Sequence, residues 1–186
     1  PLVVDELEER QLLVESDGAK CVFLDGFIGK DDKPLPAIIQ KSDGGYPYMA
    51  TDLAAVRYRA STINAHEVLY FVGAQQQLHL RQVFAVATAA GYIGDHQRFR
   101  HLPFGWVLKA DNTPFKTRDG ADVKLVDVLN EAVDRAHRLV DEKNPGLSPE
   151  EKKTVARVVG IGAIKYAELS KNRTTDYIFD WDTMLS

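Results

Sequence analysis

Cysteine is almost missing from this chain of 186 residues, which contains only Cys21, within the apolar run Cys-Val-Phe-Leu. One cysteine excludes an internal disulfide, and it excludes a zinc cluster built from several thiolates. Long apolar runs are missing too, since none approaches the roughly 18 residues that a membrane helix needs. The first residues lack the charged-then-apolar plan of a signal peptide. We therefore expect a cytoplasmic protein with no membrane partner.

Positive charge is not in excess, because 27 acidic residues outnumber 23 basic ones and the net charge is −4. A domain that mainly grips nucleic acid is usually basic, so any nucleic-acid contact should be local. Several catalytic signatures are also missing. The sequence has no His-x-Glu-x-x-His pattern, no Ser-His-Asp order, no acidic triplet and no complete phosphate loop. We accordingly predict no metal site and no hydrolytic triad.

The two ends of the chain lack clear boundaries. It opens on "PLVVDELEERQLLV", with no glycine-rich nucleotide fingerprint and no clear first strand, and it closes on "WDTMLS" while an amphipathic pattern is developing. Both ends look cut. The expectation is that the chain is a piece of something longer.

What the sequence does contain is a β-rich start of about 40 residues followed by alternating strands and helices. Ser16-Asp17-Gly18 predicts a hairpin turn, and "LPAIIQK" predicts a strand. Thr51 is predicted to be the N-cap of a helix. "EVLYFVG" is a continuous apolar run typical of a strand covered on both faces. A helix over "LHLRQVFAVATAAG", ending at Gly91, then leads to a strand or close strand pair in "RFRHLPFGWVL". This order predicts a βαβ crossover, and therefore an α/β fold with a parallel sheet.

The last third of the chain predicts two helices separated by Asn144-Pro145-Gly146. The first presents one apolar face. The second begins with Ser148 as N-cap, Pro149 in the first helical position and Glu151 closing a capping box. It also contains Gly160 and Gly162, which favour close packing against a neighbouring backbone.

Three loops follow the predicted strands, at residues 41–50, 74–78 and 109–120. In open α/β sheets a ligand binds beyond the carboxyl ends of the strands, so these loops are expected to surround one crevice. Tyr48 and Asp52, four residues apart, could converge there. Asp52 suits a cationic substrate such as a guanidinium, although a carboxylate in a first helical turn also complements the helix dipole.

The remaining polar residues of these loops leave alternatives open. The run Gln75-Gln76-Gln77 either reads a polar ligand or is a solvated loop, and His79 either binds a phosphate or ribose or simply caps and packs. "PFKTRDG", at 114–120, is either an exposed charged turn or a cationic loop that grips an anion. Arg98, Arg100 and His101 alternate as one polar face of a strand would.

Four stretches together resemble the catalytic domain of class I arginyl-tRNA synthetases of the bacterial type. They are "KSDGGYPYMATDLAAVRYR", "LYFVGAQQQLHLRQVFAVA", "PFKTRDGADVKLVDVLNEA" and "VGIGAIKYAELSKNRTTDYIFDWDTML". The resemblance implies the C-terminal half of a Rossmann-type catalytic domain over residues 1–141, including the signature-loop region 109–120. It also implies a helical segment over 142–186, leading toward an anticodon-binding domain.

The same resemblance implies the roles of individual residues. Tyr48, Asp52 and Gln76 match positions that contact the substrate arginine in this family, and His79 lies on the adenylate side. Residues 115–118 fall where class I enzymes have the Lys-Met-Ser-Lys-Ser loop, with Phe115 in the place of its first lysine. Lys116, Thr117 and Arg118 then become the catalytic loop, and Arg118 is favoured over Lys116 as the cation that meets the ATP phosphates.

The implied reaction joins L-arginine to tRNA(Arg), with ATP as substrate, Mg²⁺ accompanying it and no tightly bound cofactor. The family's other signature, His-Ile-Gly-His, is not found in these 186 residues. We expect the chain alone to be inactive, and its truncated sheet to favour self-association. The alternative is a non-catalytic, synthetase-derived binding module. Lys165, Lys171 and Arg173 are candidates for contact with tRNA. The alternative is that they form a solvated helix face.

Overall fold

The structure, a computed structural model, describes residues 1–109, 111–113, 124–178 and 180. The chain divides into two compact units, Pro1–Pro103 and Phe104–Ser186. The helices are α1 (Leu2–Glu9), α2 (Tyr48–Arg57), α3 (Gln77–Ala89), α4 (Leu125–Lys143) and α5 (Pro149–Leu169). The strands are β1 (Val14–Ser16), β2 (Ala19–Val22), β3 (Ala37–Gln40), β4 (Glu67–Gly73), β5 (Arg98–Phe104), β6 (Val107–Leu108) and β7 (Tyr177–Ile178).

The first unit begins with α1 and an antiparallel sheet in the order β1-β2-β3. The predicted hairpin is confirmed, because Asp17 and Gly18 make the turn with φ angles of 51° and 74°. The strand predicted in "LPAIIQK" is also confirmed, as β3. It pairs antiparallel with β2, however, so within the described residues β3 is not a neighbour of β4 in one parallel sheet.

The predicted βαβ unit is confirmed in β4, α3 and β5. Strands β4 and β5 pair, and the backbone N–H of Arg98 at the start of β5 donates to His66 O just before β4, at 2.9 Å. The two strands therefore start at the same end and run parallel, as a helical crossover requires. Gly91 follows α3 with φ 69°, which confirms it as the glycine beyond the helix end.

One feature of β4 differs from the prediction. Its exposure alternates along the strand, and Phe71 is 62% exposed, so β4 is not covered on both faces. The other face, which carries Tyr70, packs against Phe84 of α3 and Phe99 of β5. An all-apolar run cannot reveal such a difference, because both of its faces are hydrophobic in the sequence.

The core of the first unit lies where α2 packs on α3 and where both meet α1 and the first sheet. Its fully buried side chains include Leu7, Ile39, Leu53, Val56, Val83 and Val86. Burial of each such side chain stabilises the fold by roughly 1.5–3 kcal/mol. The rigid pairing of α2 with α3 fixes the positions of the polar residues at their N-terminal ends.

Two helix starts differ from expectation. Residues 2–9 form α1, which was not predicted, although Val3, Val4 and Leu7 have the spacing of a buried helical face. Helix α2 begins at Tyr48 after Pro47, so Thr51 is not its N-cap. The Thr51 hydroxyl instead donates to Tyr48 O at 2.9 Å, within the helix.

The second unit contains the parallel pair β6 and β7 and the helices α4 and α5. The capping box of α5 is confirmed, since Glu151 N–H donates to Ser148 Oγ and Ser148 N–H donates to the Glu151 carboxylate. Gly160 lies against the backbone of α4, as predicted, whereas Gly162 faces open space. The predicted domain boundary between residues 141 and 142 falls within α4 and stays a prediction. Among the helices described, none is both long and apolar enough to cross a membrane.

Candidate functional site

The carboxyl end of β4 is where polar side chains of the first unit gather. The strand ends at Gly73, a 3-10 turn covers Ala74–Gln76, and α3 begins at Gln77. Gln75 folds back so that its side chain fills the space that a Cβ atom on Gly73 would need. Glycine is therefore required there unless Gln75 moves. Gln76 is exposed beside it.

Helix α2 brings the second set of residues. A tight loop leads from β3 to the helix start, and it is closed by hydrogen bonds from Lys41 N–H to Gly45 O and from Gly44 N–H to Lys41 O. Tyr48, the first residue of α2, is 85% exposed. Asp52 lies one turn later, so the two side chains are on neighbouring positions of one helix face.

The two helices meet in a direct contact between side chains. His79 Nε2, in the first turn of α3, lies 2.6 Å from Asp52 Oδ2. The Asp52 side chain is 39% exposed and the His79 side chain 27% exposed. Both groups therefore border open space and remain accessible to a ligand. Their distance is in the range of a strong, charge-assisted hydrogen bond.

The position of Asp52 bears on the helix-dipole explanation for its charge. Because α2 begins at Tyr48, Asp52 is the fifth residue of the helix and lies beyond the first turn. The dipole effect falls off within that turn, and the free N–H groups belong to the first four residues. Helix stabilisation therefore does not account for this carboxylate.

Tyr70 lies close enough to Asp52 to feel its charge, and Arg59 contacts Tyr70. The guanidinium of Arg59 lies 5.2 Å from the centre of the Tyr70 ring, and its Nη1 donates to the Tyr70 hydroxyl at 2.8 Å. Burial raises the pKa of Tyr70, the hydrogen bond from Arg59 lowers it, and the negative charge of Asp52 adds to the rise. Tyr70 is consequently a neutral phenol near Asp52.

Arg59 lies in a π-helical turn, Tyr58–Thr62, that extends α2. Such turns occur often at functional sites. The sequence interpretation missed both Arg59 and Tyr70. Tyr70 lies within the apolar run "EVLYFVG". Its hydroxyl group, the polar atom in the middle of that run, was the signal that could have pointed to it.

The structure brings together Asp52 and His79 of the predicted site. It leaves Tyr48 exposed at the start of α2 and Gln76 exposed at the end of the 3-10 turn. Lys116, Thr117 and Arg118 lie outside the described residues. In the same predicted loop, Lys109 N–H donates to Thr113 O, and Asn112 turns the chain with φ 61°. Within the described part of the chain, no group of three or more His, Cys, Asp or Glu side chains is arranged to hold a metal ion.

A parallel strand pair with a helical crossover defines an α/β domain, and in such folds ligands bind beyond the carboxyl ends of the strands. A family profile described as "tRNA synthetases class I (R), catalytic domain" matches residues 1–181. The chain therefore belongs to the family of class I (R) tRNA synthetase catalytic domains.

Similar proteins agree with this family. The arginine–tRNA ligase of Hahella chejuensis is 56% identical over 186 residues, which are 100% of this chain and 32% of that protein. The arginine–tRNA ligase of Pseudomonas entomophila is 54% identical over 184 residues, 99% of this chain and 32% of its own length. The chain thus spans about a third of the length of the curated relatives it matches.

Two solved structures are similar in fold. The arginyl-tRNA synthetase of Plasmodium falciparum superposes with a TM-score of 0.81 at 29% identity, covering 99% of this chain and 30% of that one. The Thermus thermophilus arginyl-tRNA synthetase gives a TM-score of 0.74 at 23% identity, covering 100% and 36%. The second likeness bears on the fold alone.

Proposed function

We propose that this chain is the arginine-binding part of an arginine–tRNA ligase. The complete protein activates L-arginine with ATP and transfers the arginyl group to tRNA(Arg). The observation that carries the proposal is the 56% identity to an arginine–tRNA ligase across all 186 residues. Complete protein here means the chain extended to the length of its curated relatives.

Arginine binds at the start of α2 and α3 in this proposal. The Asp52 carboxylate receives the guanidinium, which can form two parallel hydrogen bonds with it. Tyr48 lies one turn earlier and Gln76 lies at the carboxyl end of β4, and both are exposed to an incoming ligand. Two observations support this role of Asp52. Its side chain is partly exposed, and it lies too far along α2 for the helix dipole to explain its charge.

ATP is the second substrate, and its phosphates meet the loop that carries Lys116, Thr117 and Arg118, with Arg118 favoured over Lys116. Mg²⁺ accompanies the ATP phosphates. This ion commonly binds through substrate phosphates and one or two carboxylates, not in an all-protein cage.

The chemistry proceeds in two steps. The carboxylate of arginine attacks the α-phosphorus of ATP, forming arginyl-adenylate and releasing pyrophosphate. A terminal ribose hydroxyl of the tRNA then attacks the acyl carbon and AMP leaves. No side chain need act as a nucleophile, so catalysis depends on positioning and on stabilising charge as it develops.

Further partners and the compartment belong to the same proposal. The tRNA contacts the second unit near Lys165, Lys171 and Arg173. Lys171 Nζ also lies 3.9 Å from the centre of the Tyr177 ring. The exposed apolar side chains Leu69 and Phe71 on β4 favour self-association of the 186-residue chain. The single, buried cysteine fits a reducing cytoplasm.

The proposal is tested by the substitution Asp52→Asn in the complete protein. Loss of the carboxylate charge should raise the KM for arginine by about 10- to 100-fold, the expected effect of removing a charged hydrogen-bond partner. Arginine-dependent ATP–pyrophosphate exchange in the presence of tRNA(Arg) measures this KM.

Asp25→Asn, at an exposed aspartate of the same unit, serves as the matched control and should leave the KM unchanged. An unchanged KM for arginine in Asp52→Asn would show that Asp52 does not bind the substrate.

A further inference from the structure

His79 and Asp52 form a side-chain bridge between α3 and α2, with 2.6 Å between Nε2 and Oδ2. In the part of the chain that the structure describes, His79 is the hydrogen-bond partner of the Asp52 carboxylate. The nearby cation of Arg59 is directed elsewhere, to the hydroxyl and ring of Tyr70. His79 is thus the group that fixes how the Asp52 side chain is turned.

Helix stability does not explain a histidine at this position. His79 is the third residue of α3, and the helix has no side-chain cap. The imidazole is also not packed away, because 27% of the side chain is exposed. The contact of His79 with Asp52 is therefore the interaction that explains the position of this histidine.

We propose that His79 is a positioning residue for Asp52, and through it a determinant of specificity for the guanidinium group. The inference rests on the proposed function, in which Asp52 receives arginine. By holding Oδ2, His79 fixes the plane of the carboxylate before the ligand arrives and leaves Oδ1 to face it. A side chain fixed in its binding orientation loses less conformational freedom on binding, so affinity rises.

The fixed plane also favours one cation over another. A guanidinium is planar and forms hydrogen bonds in a fixed fork, so it gains from a carboxylate of fixed orientation. The ammonium group of lysine is a compact point charge with rotatable donors and gains much less. Freeing Asp52 should therefore weaken arginine binding more than lysine binding.

This role differs from a contact on the adenylate side. Nε2 of His79 is already engaged by Asp52, so a nucleotide that used this nitrogen would have to break the bridge. The two roles make opposite predictions. The positioning role affects the KM for arginine, whereas the adenylate role affects the KM for ATP.

The test compares His79→Ala with His79→Gln in the complete protein by ATP–pyrophosphate exchange, with tRNA(Arg) present throughout. His79→Ala should raise the KM for arginine by about 10- to 100-fold and lower the discrimination against lysine. The KM for ATP should stay within about twofold. His79→Gln should recover most of the loss, because the glutamine amide can donate to Asp52 from a similar position.

Two further variants sharpen the result. His96→Ala removes an exposed histidine of the same unit and should change neither KM. In the Asp52→Asn background, His79→Ala should add little, since coupled residues do not contribute additively.

A raised KM for ATP with an unchanged KM for arginine would overturn the positioning role, as would equal losses in His79→Ala and His79→Gln. If the unsubstituted complete protein shows no arginine-dependent exchange, the proposed function itself fails, and the role of His79 with it.

Discussion

Arg57 of α2 holds the carboxylate of Glu6 of α1 with two of its nitrogens. Nε lies 2.9 Å from Oε2 and Nη2 lies 2.7 Å from Oε1, and the pair is partly buried. This hydrogen bonding keeps the pKa of Glu6 below its ordinary value of 4.5. A lowered pKa means that the pair stabilises the fold above that value, and that the contribution is lost as the pH falls through the pKa of the folded state.

Glu6→Gln should therefore lower the free energy of unfolding by about 1.5–3 kcal/mol at neutral pH, because Arg57 loses its charged partner. The difference from the unsubstituted chain should shrink as the pH falls through the lowered pKa of the folded state, since below that pKa both states carry a protonated glutamate. Urea unfolding at neutral pH and at a series of acidic pH values measures the effect.

Glu8→Gln is the matched control on the same helix. Glu8 pairs with Lys20 at 3.0 Å, but both side chains are well exposed. Its loss should cost less than about 1 kcal/mol. A Glu6→Gln effect that did not change with pH would contradict the electrostatic explanation.

Residues of the site could be predicted from the sequence only in part. Asp52 and His79 stood out because each lies just beyond a polar loop that follows a strand. Their direct contact depends on the packing of α2 on α3, which no local pattern encodes. Tyr70 and Arg59 were missed for a related reason. A tyrosine in an apolar run does not show which face it lies on until the strand is paired.

At the scale of elements, Gly160 of α5 determines how closely this helix approaches α4. A Cβ atom at this position would lie 2.7 Å from Ala132 O and 2.8 Å from Val133 Cα, both backbone atoms. Backbone atoms cannot rotate away as the end of a side chain can, so the helices would have to separate.

Gly160→Ala should accordingly destabilise the second unit by about 1–3 kcal/mol through overpacking. Gly162→Ala is its matched control on the same helix, because a Cβ atom there meets nothing within 4 Å. That substitution should stabilise the helix by up to about 1 kcal/mol. Thermal unfolding of both variants measures the difference, and two shifts of the same sign would refute the close-packing explanation.

The elements themselves were mostly predictable where local chemistry specifies them. The Asp17-Gly18 turn and the capping box of Ser148 and Glu151 were confirmed, since turns and caps depend on residues close in sequence. The pairing of β3 with β2 and the start of α2 at Tyr48 were not foreseen. The partner of a strand depends on distant residues, and Pro47 with its fixed φ made an earlier helix start available.

At the scale of the whole molecule, the chain has a packed core in its first unit and an α4–α5 helix pair in its second. The proposed arginine site lies in the first unit, and the proposed tRNA contacts lie in the second. The relatives named arginine–tRNA ligase are about three times as long, since this chain covers 32% of them. Arginine binding and catalysis by these 186 residues should therefore be tested separately.

We expect the 186-residue chain by itself to show no arginine-dependent ATP–pyrophosphate exchange. The sequence contains no His-Ile-Gly-His motif, which the class I resemblance assigns to ATP binding together with the loop at residues 115–118. The loop without the motif cannot position the α-phosphate for attack. A loss of positioning removes most of the rate enhancement. The assay compares the chain with the complete protein at equal concentration and with tRNA(Arg) present, after cooperative thermal unfolding has shown that the chain is folded. Measurable exchange by the folded chain would demonstrate that these residues alone can bind and activate ATP.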